Sequence, residues 1–168
     1  MNLRRTPQSG MTIIELLSAL AISAMTLMFG VPGFQSMVAS SSATSQVNDM
    51  VAGLNLARSE AIRRGRSVDF SAISGAWSGG WTVGIDANAD GDYKDVGDTE
   101  IRVWTPSGTS LTPVNAGGLT TITYTARGHA LAATSFTLTD CPMGANNGRS
   151  LAIAASGHAS ATRVACDG

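Results

Sequence analysis

The chain has 168 residues and a formal net charge of −1, with 43% apolar and only 14% charged residues. This length supports one ordinary domain with an extension. The near-neutral balance gives no general electrostatic basis for nucleic-acid binding, so any such contact would be local. Motifs of a catalytic serine, a phosphate-binding loop and a zinc protease are absent from the sequence. We therefore expect a protein that is not an enzyme and needs no cofactor.

The first element is an apolar segment over residues 11–31 that contains a single charged side chain. Its 21 residues are enough to cross a bilayer core as a helix. Arg4 and Arg5 precede it, and positive charge in this place keeps an N-terminus in the cytoplasm. The sequence therefore predicts one membrane span with the rest of the chain exported. A secretory signal peptide, cut after the apolar run, is the alternative.

Glu15 is the one charged residue of this segment. An ionised acid in hydrocarbon costs on the order of 2.5–3.5 kcal/mol, so such residues usually have a partner. A cut just before Met11 would create an α-amino group about one helical turn away. That amine, on the same or a neighbouring subunit, could neutralise the acid. Alternatively, the side chain reaches the cytoplasmic interface.

Helical periodicity continues past the apolar segment to Gly65. Arg63 and Arg64 before this glycine are a helix C-terminal signal. Pro32 is predicted to bend the helix, because proline removes one hydrogen bond and crowds the preceding turn. Apolar residues recur at helical spacing and predict a stripe that packs on a sheet. This stripe comprises Val47, Met50, Val51, Leu54, Ala57, Ala61 and Ile62.

From residue 66 onward the periodicity changes to two, which is typical of strands. Turn-rich stretches of Gly, Pro, Ser and Asn separate the alternating segments. One helix followed by six or seven short strands predicts an α+β fold in which the helix covers a sheet face. The alternating segments are 68–72, 81–85, 101–103, 122–124, 136–138, 151–153 and 160–164.

Cys141 and Cys166 lie late in the chain without C-x-x-C spacing, and His129 and His158 are not close to them in sequence. This spacing argues against a zinc site. If the C-terminal part is exported, the two cysteines are expected to form a disulfide. Two unpaired, buried thiols are the alternative.

Residues 86–92 match the opening of a calcium loop, with Asp86, Asn88 and Asp90 at alternate positions and a glycine at the sixth. The match then fails, because the twelfth position is Gly97 and Asp98 arrives one residue late. We expect a polar turn without metal, and a calcium site is the alternative.

The segment 9–17 and its basic leader resemble the type IV prepilin signature, in which Glu is the fifth residue after the cut. Pro32 matches the place of a frequent helix-bending proline. The resemblance implies that a prepilin peptidase cuts between Gly10 and Met11 and methylates the new amine. It also implies that Glu15 pairs with a neighbouring subunit's N-terminus during assembly. The usual residue after the cut is Phe, where this chain has Met11.

Residues 56–65 resemble the end of the long helix in the GspH/FimT family of minor pilins and pseudopilins. This resemblance implies the type IV pilin fold, a long N-terminal helix packed on an antiparallel β-sheet domain. We expect the charged side chains of this segment to form a solvated face with intrahelical pairing. The implied parts are a cytoplasmic leader (1–10), a membrane or filament-core helix (11–31), an amphipathic continuation (32–65) and an extracytoplasmic β-rich domain (66–168).

The implied function is that of a minor pilin that primes or decorates a type IV pilus. The chain would be held in the inner membrane, with its C-terminal domain in the periplasm, before joining an extracytoplasmic filament. Prepilin peptidase, other minor pilins and the major pilin would be its partners. A type II secretion pseudopilin is the alternative. The late cysteine pair favours the pilus because it resembles the FimT/FimU branch.

DNA binding for natural transformation is a further alternative. Some FimT-like minor pilins bind DNA through basic residues near the C-terminus. The corresponding candidates here are Arg149, His158 and Arg163, although His158 stands where the first arginine of that stretch would be.

Overall fold

The computed structural model describes residues 11–88, 90–91, 93–105, 114–115, 117–138 and 148–164. Contacts divide the chain into two compact units, Met1–Met37 and Val38–Gly168. Gly10 and the predicted disulfide partners, Cys141 and Cys166, lie outside the described residues.

One helix, α1, spans Ile13–Arg64 and contributes to both units. The backbone N–H of Glu15 donates to Thr12 Oγ1 at 3.3 Å, which satisfies one of the free donors of the first turn. At the other end, Gly65 has φ +65°, a left-handed conformation that glycine adopts without strain. The predicted helix end is therefore confirmed. Pro32 lies inside α1, and a bend there stays a prediction.

The membrane span predicted over residues 11–31 is not confirmed. Among the described residues, no helix combines the length and the apolar character that crossing a membrane requires.

Eight described strands follow α1 and form two antiparallel sheets of four. In chain order the strands are β1 (Val68–Ala72), β2 (Trp81–Ile85), β3 (Thr99–Trp104), β4 (Val114–Asn115), β5 (Thr121–Tyr124), β6 (Thr134–Leu138), β7 (Gly148–Ile153) and β8 (Ala159–Val164). The first sheet has the order β3-β2-β1-β5, and the second has the order β4-β6-β7-β8. The α+β class and all seven predicted strands are confirmed, while β4 was not predicted.

The core of the second unit forms where the C-terminal half of α1 meets the sheets. Five residues of the predicted stripe are no more than 2% exposed: Val47, Met50, Leu54, Ala57 and Ala61. They alternate steps of three and four residues, which keeps them on one face of the helix. Ile62 was wrongly included, since it lies one residue past that face and is 53% exposed.

Aromatic rings connect the two sheets through Trp77, which lies in the turn between β1 and β2. Its ring stacks on Phe70 of β1 with centroids 5.4 Å apart. It also meets Phe136 of β6 edge-on at 4.8 Å. The indole N–H donates to the carbonyl oxygen of Leu119 at 2.9 Å, which satisfies the polar atom of this buried side chain. Trp77 therefore belongs to the core, as does Trp81.

The turn that contains Gly128 and the turn that contains Gly157 are in contact beside Tyr124. This contact leaves no space for a side chain at Gly157. Gly157 has φ +82°, and a Cβ at this position would overlap the carbonyl oxygen of Gly128. Gly118 also has a positive φ, +65°, but a Cβ there would meet nothing within 4 Å.

Comparing Gly118 with Gly157 separates the cost of steric overlap from the cost of a left-handed backbone, because both have a positive φ and only Gly157 lacks space for a Cβ. Gly118→Ala is expected to cost about 1–2 kcal/mol of unfolding free energy, from the left-handed backbone alone. Gly157→Ala is expected to cost about 1–3 kcal/mol more, because it adds an overlap that the packed turns must absorb. Urea unfolding of both variants measures the difference. Equal losses would show that the two turns are not in close contact.

Candidate functional site

The N-terminal part of α1 presents an apolar surface. Nine large apolar side chains are each more than half exposed: Ile13, Ile14, Leu16, Leu17, Leu20, Ile22, Met25, Leu27 and Met28. The hydroxyl protons of this stretch are used within the helix. Ser18, Ser23 and Thr26 each donate to a backbone carbonyl of the preceding turn, at 2.8–2.9 Å. The surface is therefore mostly apolar, and no hydroxyl proton of these three side chains is left to donate outward.

Met11 and Glu15 are both exposed at the start of this surface. The predicted cut before Met11, the methylation of its amine and the pairing of Glu15 stay predictions.

Arg58 connects α1 to the turns of both sheets. Its Nε donates to the carbonyl oxygen of Gly128 at 3.0 Å, and its Nη2 donates to that of Ser156 at 3.2 Å. Gly128 follows β5 in the first sheet's half of the domain, and Ser156 lies in the turn between β7 and β8 of the second sheet. The expectation of a solvated face is therefore wrong for Arg58. Periodicity could not reveal this role, because both acceptors are backbone atoms distant in sequence.

The same expectation is confirmed for the charged residues that follow Arg58. Arg64 Nε donates to Glu60 Oε2 at 2.7 Å, and Arg63 pairs with the same carboxylate. Hydrogen bonds from Arg63 and then Arg64 lower the pKa of Glu60 below its usual value. These pairs lie on the helix surface and contribute little to stability.

Replacing Arg58 by Ala is expected to lower the free energy of unfolding by about 2 kcal/mol, because two backbone acceptors lose a charged donor. Arg63→Ala, in the last turn of the same helix, should cost no more than about 0.5 kcal/mol. Urea unfolding measures both variants. If Arg58→Ala were as mild as Arg63→Ala, the two bonds to the turns would be unimportant for stability.

The acidic loop between β2 and β3 forms a compact polar turn. Asp86 Oδ2 accepts the N–H of Gly91 at 2.8 Å, and Asp98 Oδ1 accepts the N–H of Ala87 at 2.7 Å. Asn88 Nδ2 donates to Asp90 Oδ2 at 2.8 Å. Two of these bonds attach carboxylates to the loop's own backbone, and the third joins two side chains of the motif.

The loop also brings together three carboxylates. Asp86, Asp90 and Asp98 each offer an oxygen, and these oxygens lie within 4.8 Å of one another. Sequence spacing had placed Asp98 one residue beyond the calcium motif. The structure folds it back beside Asp86, with its Oδ2 buried and without a hydrogen-bond partner among the described residues. The expected absence of a metal stays a prediction, and calcium binding by this loop stays its alternative.

Tyr93 fixes this loop on the first sheet. Its ring lies over Gly84, where a Cβ would be 2.5 Å from the ring. Its hydroxyl forms a hydrogen bond with Ser71 Oγ on β1. Burial raises the pKa of Tyr93 to about 12, so it stays protonated at neutral pH. Nothing in the two-residue periodicity of the sequence indicated this anchor.

Asp69 of β1 is a half-buried acid beneath the same loop. Burial raises the pKa of its carboxyl, and the charge of Asp86 raises it further, while a hydrogen bond from Thr123 Oγ1 opposes the shift. A raised pKa means that the folded chain holds this proton more tightly than the unfolded chain. The stabilising contribution is present below the usual pKa and is lost as the pH rises through the folded value.

Asp69→Asn is therefore expected to stabilise the chain at pH 7, since the amide keeps an acceptor for Thr123 without the buried charge. The gain should shrink as the pH falls through the raised folded pKa of Asp69 and should be gone below about 4, where the wild-type acid is protonated in both states. Unfolding free energies measured at pH 7 and below pH 4 test this prediction, with Asp49→Asn on the surface of α1 as the control. A gain that does not depend on pH would contradict the assignment.

The three candidate DNA-binding residues do not form one basic patch. Arg149 and Arg163 are register partners on β7 and β8. His158 lies at the other end of that hairpin, five residues or about 17 Å along the strand from Arg163. Arg149 is buried, with 6% of its surface exposed. The structure thus brings together the two arginines and separates them from the histidine.

Comparison with known proteins assigns this chain to a family. Residues 46–157, more than half of the chain, match the family model for type II transport protein GspH. The chain belongs to the GspH family. Among curated proteins, none matches the chain in sequence.

Solved structures extend this assignment. Two crystal forms of the type IV minor pilin FimU from Pseudomonas aeruginosa (strain PAO1) are similar to this GspH-family chain. The form in space group P65 is 26% identical, covers 73% of this chain and 91% of FimU, and has a TM-score of 0.56. The form in space group P21 is 25% identical, covers 76% and 90%, and has a TM-score of 0.58. The chain is thus a GspH/FimT-like pilin, from a family of structural proteins and not of enzymes.

Proposed function

We propose that this GspH-family chain is a minor pilin that enters a type IV pilus through the N-terminal part of α1. The exposed apolar surface between Ile13 and Met28 carries this proposal. Fully burying a large aliphatic side chain is worth about 1.5–3 kcal/mol, so nine such side chains strongly favour an apolar environment. Packing against the same surface of neighbouring pilin helices would provide that environment.

The internal hydrogen bonding of Ser18, Ser23 and Thr26 supports the same role. A hydroxyl that already donates to its own helix costs less to bury than one that loses water without replacement. The polar groups of this stretch therefore do not prevent the helix surface from entering a filament core.

Glu15 would be the specific contact within that core. An ionised carboxylate buried among apolar helices needs a cation. Cleavage between Gly10 and Met11 would create an α-amino group at the right end of the helix, and a neighbouring subunit would bring its own amine within reach. We propose that prepilin peptidase makes this cut and methylates Met11, and that Glu15 then selects the register of incoming subunits.

Before assembly, the chain would be held in the inner membrane by residues 11–31, with the sheet domain in the periplasm. The leader charges Arg4 and Arg5 and the apolar helix surface support this stage. The periplasm also permits the predicted disulfide between Cys141 and Cys166.

A pilus is favoured over a secretion pseudopilus because both similar crystal structures are of a type IV minor pilin. The family model takes its name from a type II transport protein, so the secretion role is the second candidate. Priming of assembly and DNA uptake remain predictions. The separation of His158 from the two arginines does not support DNA uptake.

Glu15→Val is expected to leave cleavage intact and to remove the subunit from filaments, because the new amine loses its carboxylate. Immunoblots of sheared filaments against membrane fractions measure incorporation, and mass spectrometry of the N-terminus confirms processing. Asp49→Asn, which removes an exposed acid from the same helix, is the matched control and should incorporate normally.

Normal incorporation of Glu15→Val would show that the pairing role is wrong.

Deleting the gene separates the two filament types. Loss of surface pili with normal secretion supports the pilus, whereas loss of secretion with normal pili supports the pseudopilus.

A further inference from the structure

Arg149 is a buried cation whose described hydrogen-bond acceptors are both neutral. Its Nη2 donates to Thr44 Oγ1 of α1 at 2.9 Å, and its Nη1 donates to the carbonyl oxygen of Gly148 at 3.2 Å. Among the described residues it forms no ion pair with a carboxylate. Arginine does not lose its proton in proteins, so its charge cannot be removed by burial. A buried charge is costly unless it is paired, so this position favours an anion.

A second cation lies directly opposite. Arg163 of β8 is the register partner of Arg149 across the β7–β8 pair. Side chains of directly opposed residues lie on the same sheet face with Cβ atoms about 4.5–5.5 Å apart, and like charges there repel. Arg163 also lacks an ion pair among the described residues. Within the described part of the chain, the hairpin thus holds two guanidinium groups side by side without an ion pair, one buried and one exposed.

The two arginines line a pocket of about 200 Å³ between the end of the hairpin and α1. Val47 and Ala161 form an apolar wall of the pocket, and Asn48 adds an amide. The pocket therefore combines paired planar donors with a small apolar surface.

We propose that this pocket binds a carboxylate on an acidic side chain of another protein. Guanidinium groups match the two oxygens of a carboxylate, and hydrogen bonds between charged partners are about twice as strong as neutral ones. The apolar wall fits the methylene groups of an Asp or Glu side chain. A nucleic-acid backbone fits less well, because the chain as a whole carries a net charge of −1 and offers no extended cationic surface.

If the chain is a minor pilin, the acidic side chain belongs to an adjacent pilin subunit, and this step rests on the proposed function. The proposal that the pocket binds a carboxylate does not depend on the proposed function. Carboxylate binding can therefore be tested on the isolated full chain, without any filament, so that failure of one proposal is distinguished from failure of the other.

The test uses the full chain in detergent micelles, titrated with propionate at constant ionic strength. Propionate reproduces the side chain of glutamate. We expect saturable shifts in the Nε–Hε resonances of Arg149 and Arg163, with chloride producing none. Arg163→Gln should weaken binding by about tenfold or more, because one charged donor is lost. Arg127→Gln, which removes an exposed arginine elsewhere, should bind as the wild type does.

Charge reversal gives a second, opposite readout. Arg163→Glu places a carboxylate directly across from Arg149, where it can occupy the site from within. This variant is expected to raise the melting temperature and to abolish propionate binding. Arg127→Glu should change neither.

Several results would overturn the proposal. They are the absence of saturable shifts, equal weakening by Arg163→Gln and Arg127→Gln, and a lowered melting temperature in Arg163→Glu. Tighter binding of inorganic phosphate than of propionate would also overturn it, and would indicate a phosphate-bearing ligand.

Discussion

The close approach of the C-terminal half of α1 to the sheets is the constraint on which the domain depends. Gly53 makes this approach possible, since a Cβ there would lie 2.7 Å from Phe70 Cε2. Ala57 and Ala61 continue the same face with small side chains that are completely buried. Because the helix lies so near, Arg58 can reach backbone carbonyls on two separate turns, and Thr44 can meet Arg149 of β7.

Local pattern predicted most of the fold. The buried stripe on α1, its end at Gly65 and seven strands follow from periodicity and capping, which act over a few residues. β4, with only two residues, is too short to show alternation. The division into two sheets also could not be read from the sequence, because pairing order depends on which strands meet across long loops. Phe70, Trp77 and Phe136 join these sheets from positions far apart in the chain.

Of the candidate site, the sequence predicts only the segment proposed to be processed, and that processing stays a prediction. The prepilin-like segment around Gly10 and Glu15 can be recognised from residue identity and spacing. Arg58, Tyr93 and the neighbouring pair Arg149–Arg163 could not, since each depends on a partner at least 14 residues distant, and many of those partners are backbone atoms or register neighbours. The helical pattern indicated a solvated face for Arg58, and the family resemblance indicated DNA-binding candidates at Arg149 and Arg163.

Three hydroxyls in the N-terminal part of α1 donate to carbonyls of their own helix, namely those of Ser18, Ser23 and Thr26. This has a mechanical consequence for a filament built from such helices. Contacts between apolar side chains have no preferred direction along the axis. Neighbouring subunits could therefore slide past one another under tension without breaking hydrogen bonds donated by these three hydroxyls. Resistance to sliding would then be concentrated at Glu15, and the filament would lengthen reversibly until that charge is pulled from its partner.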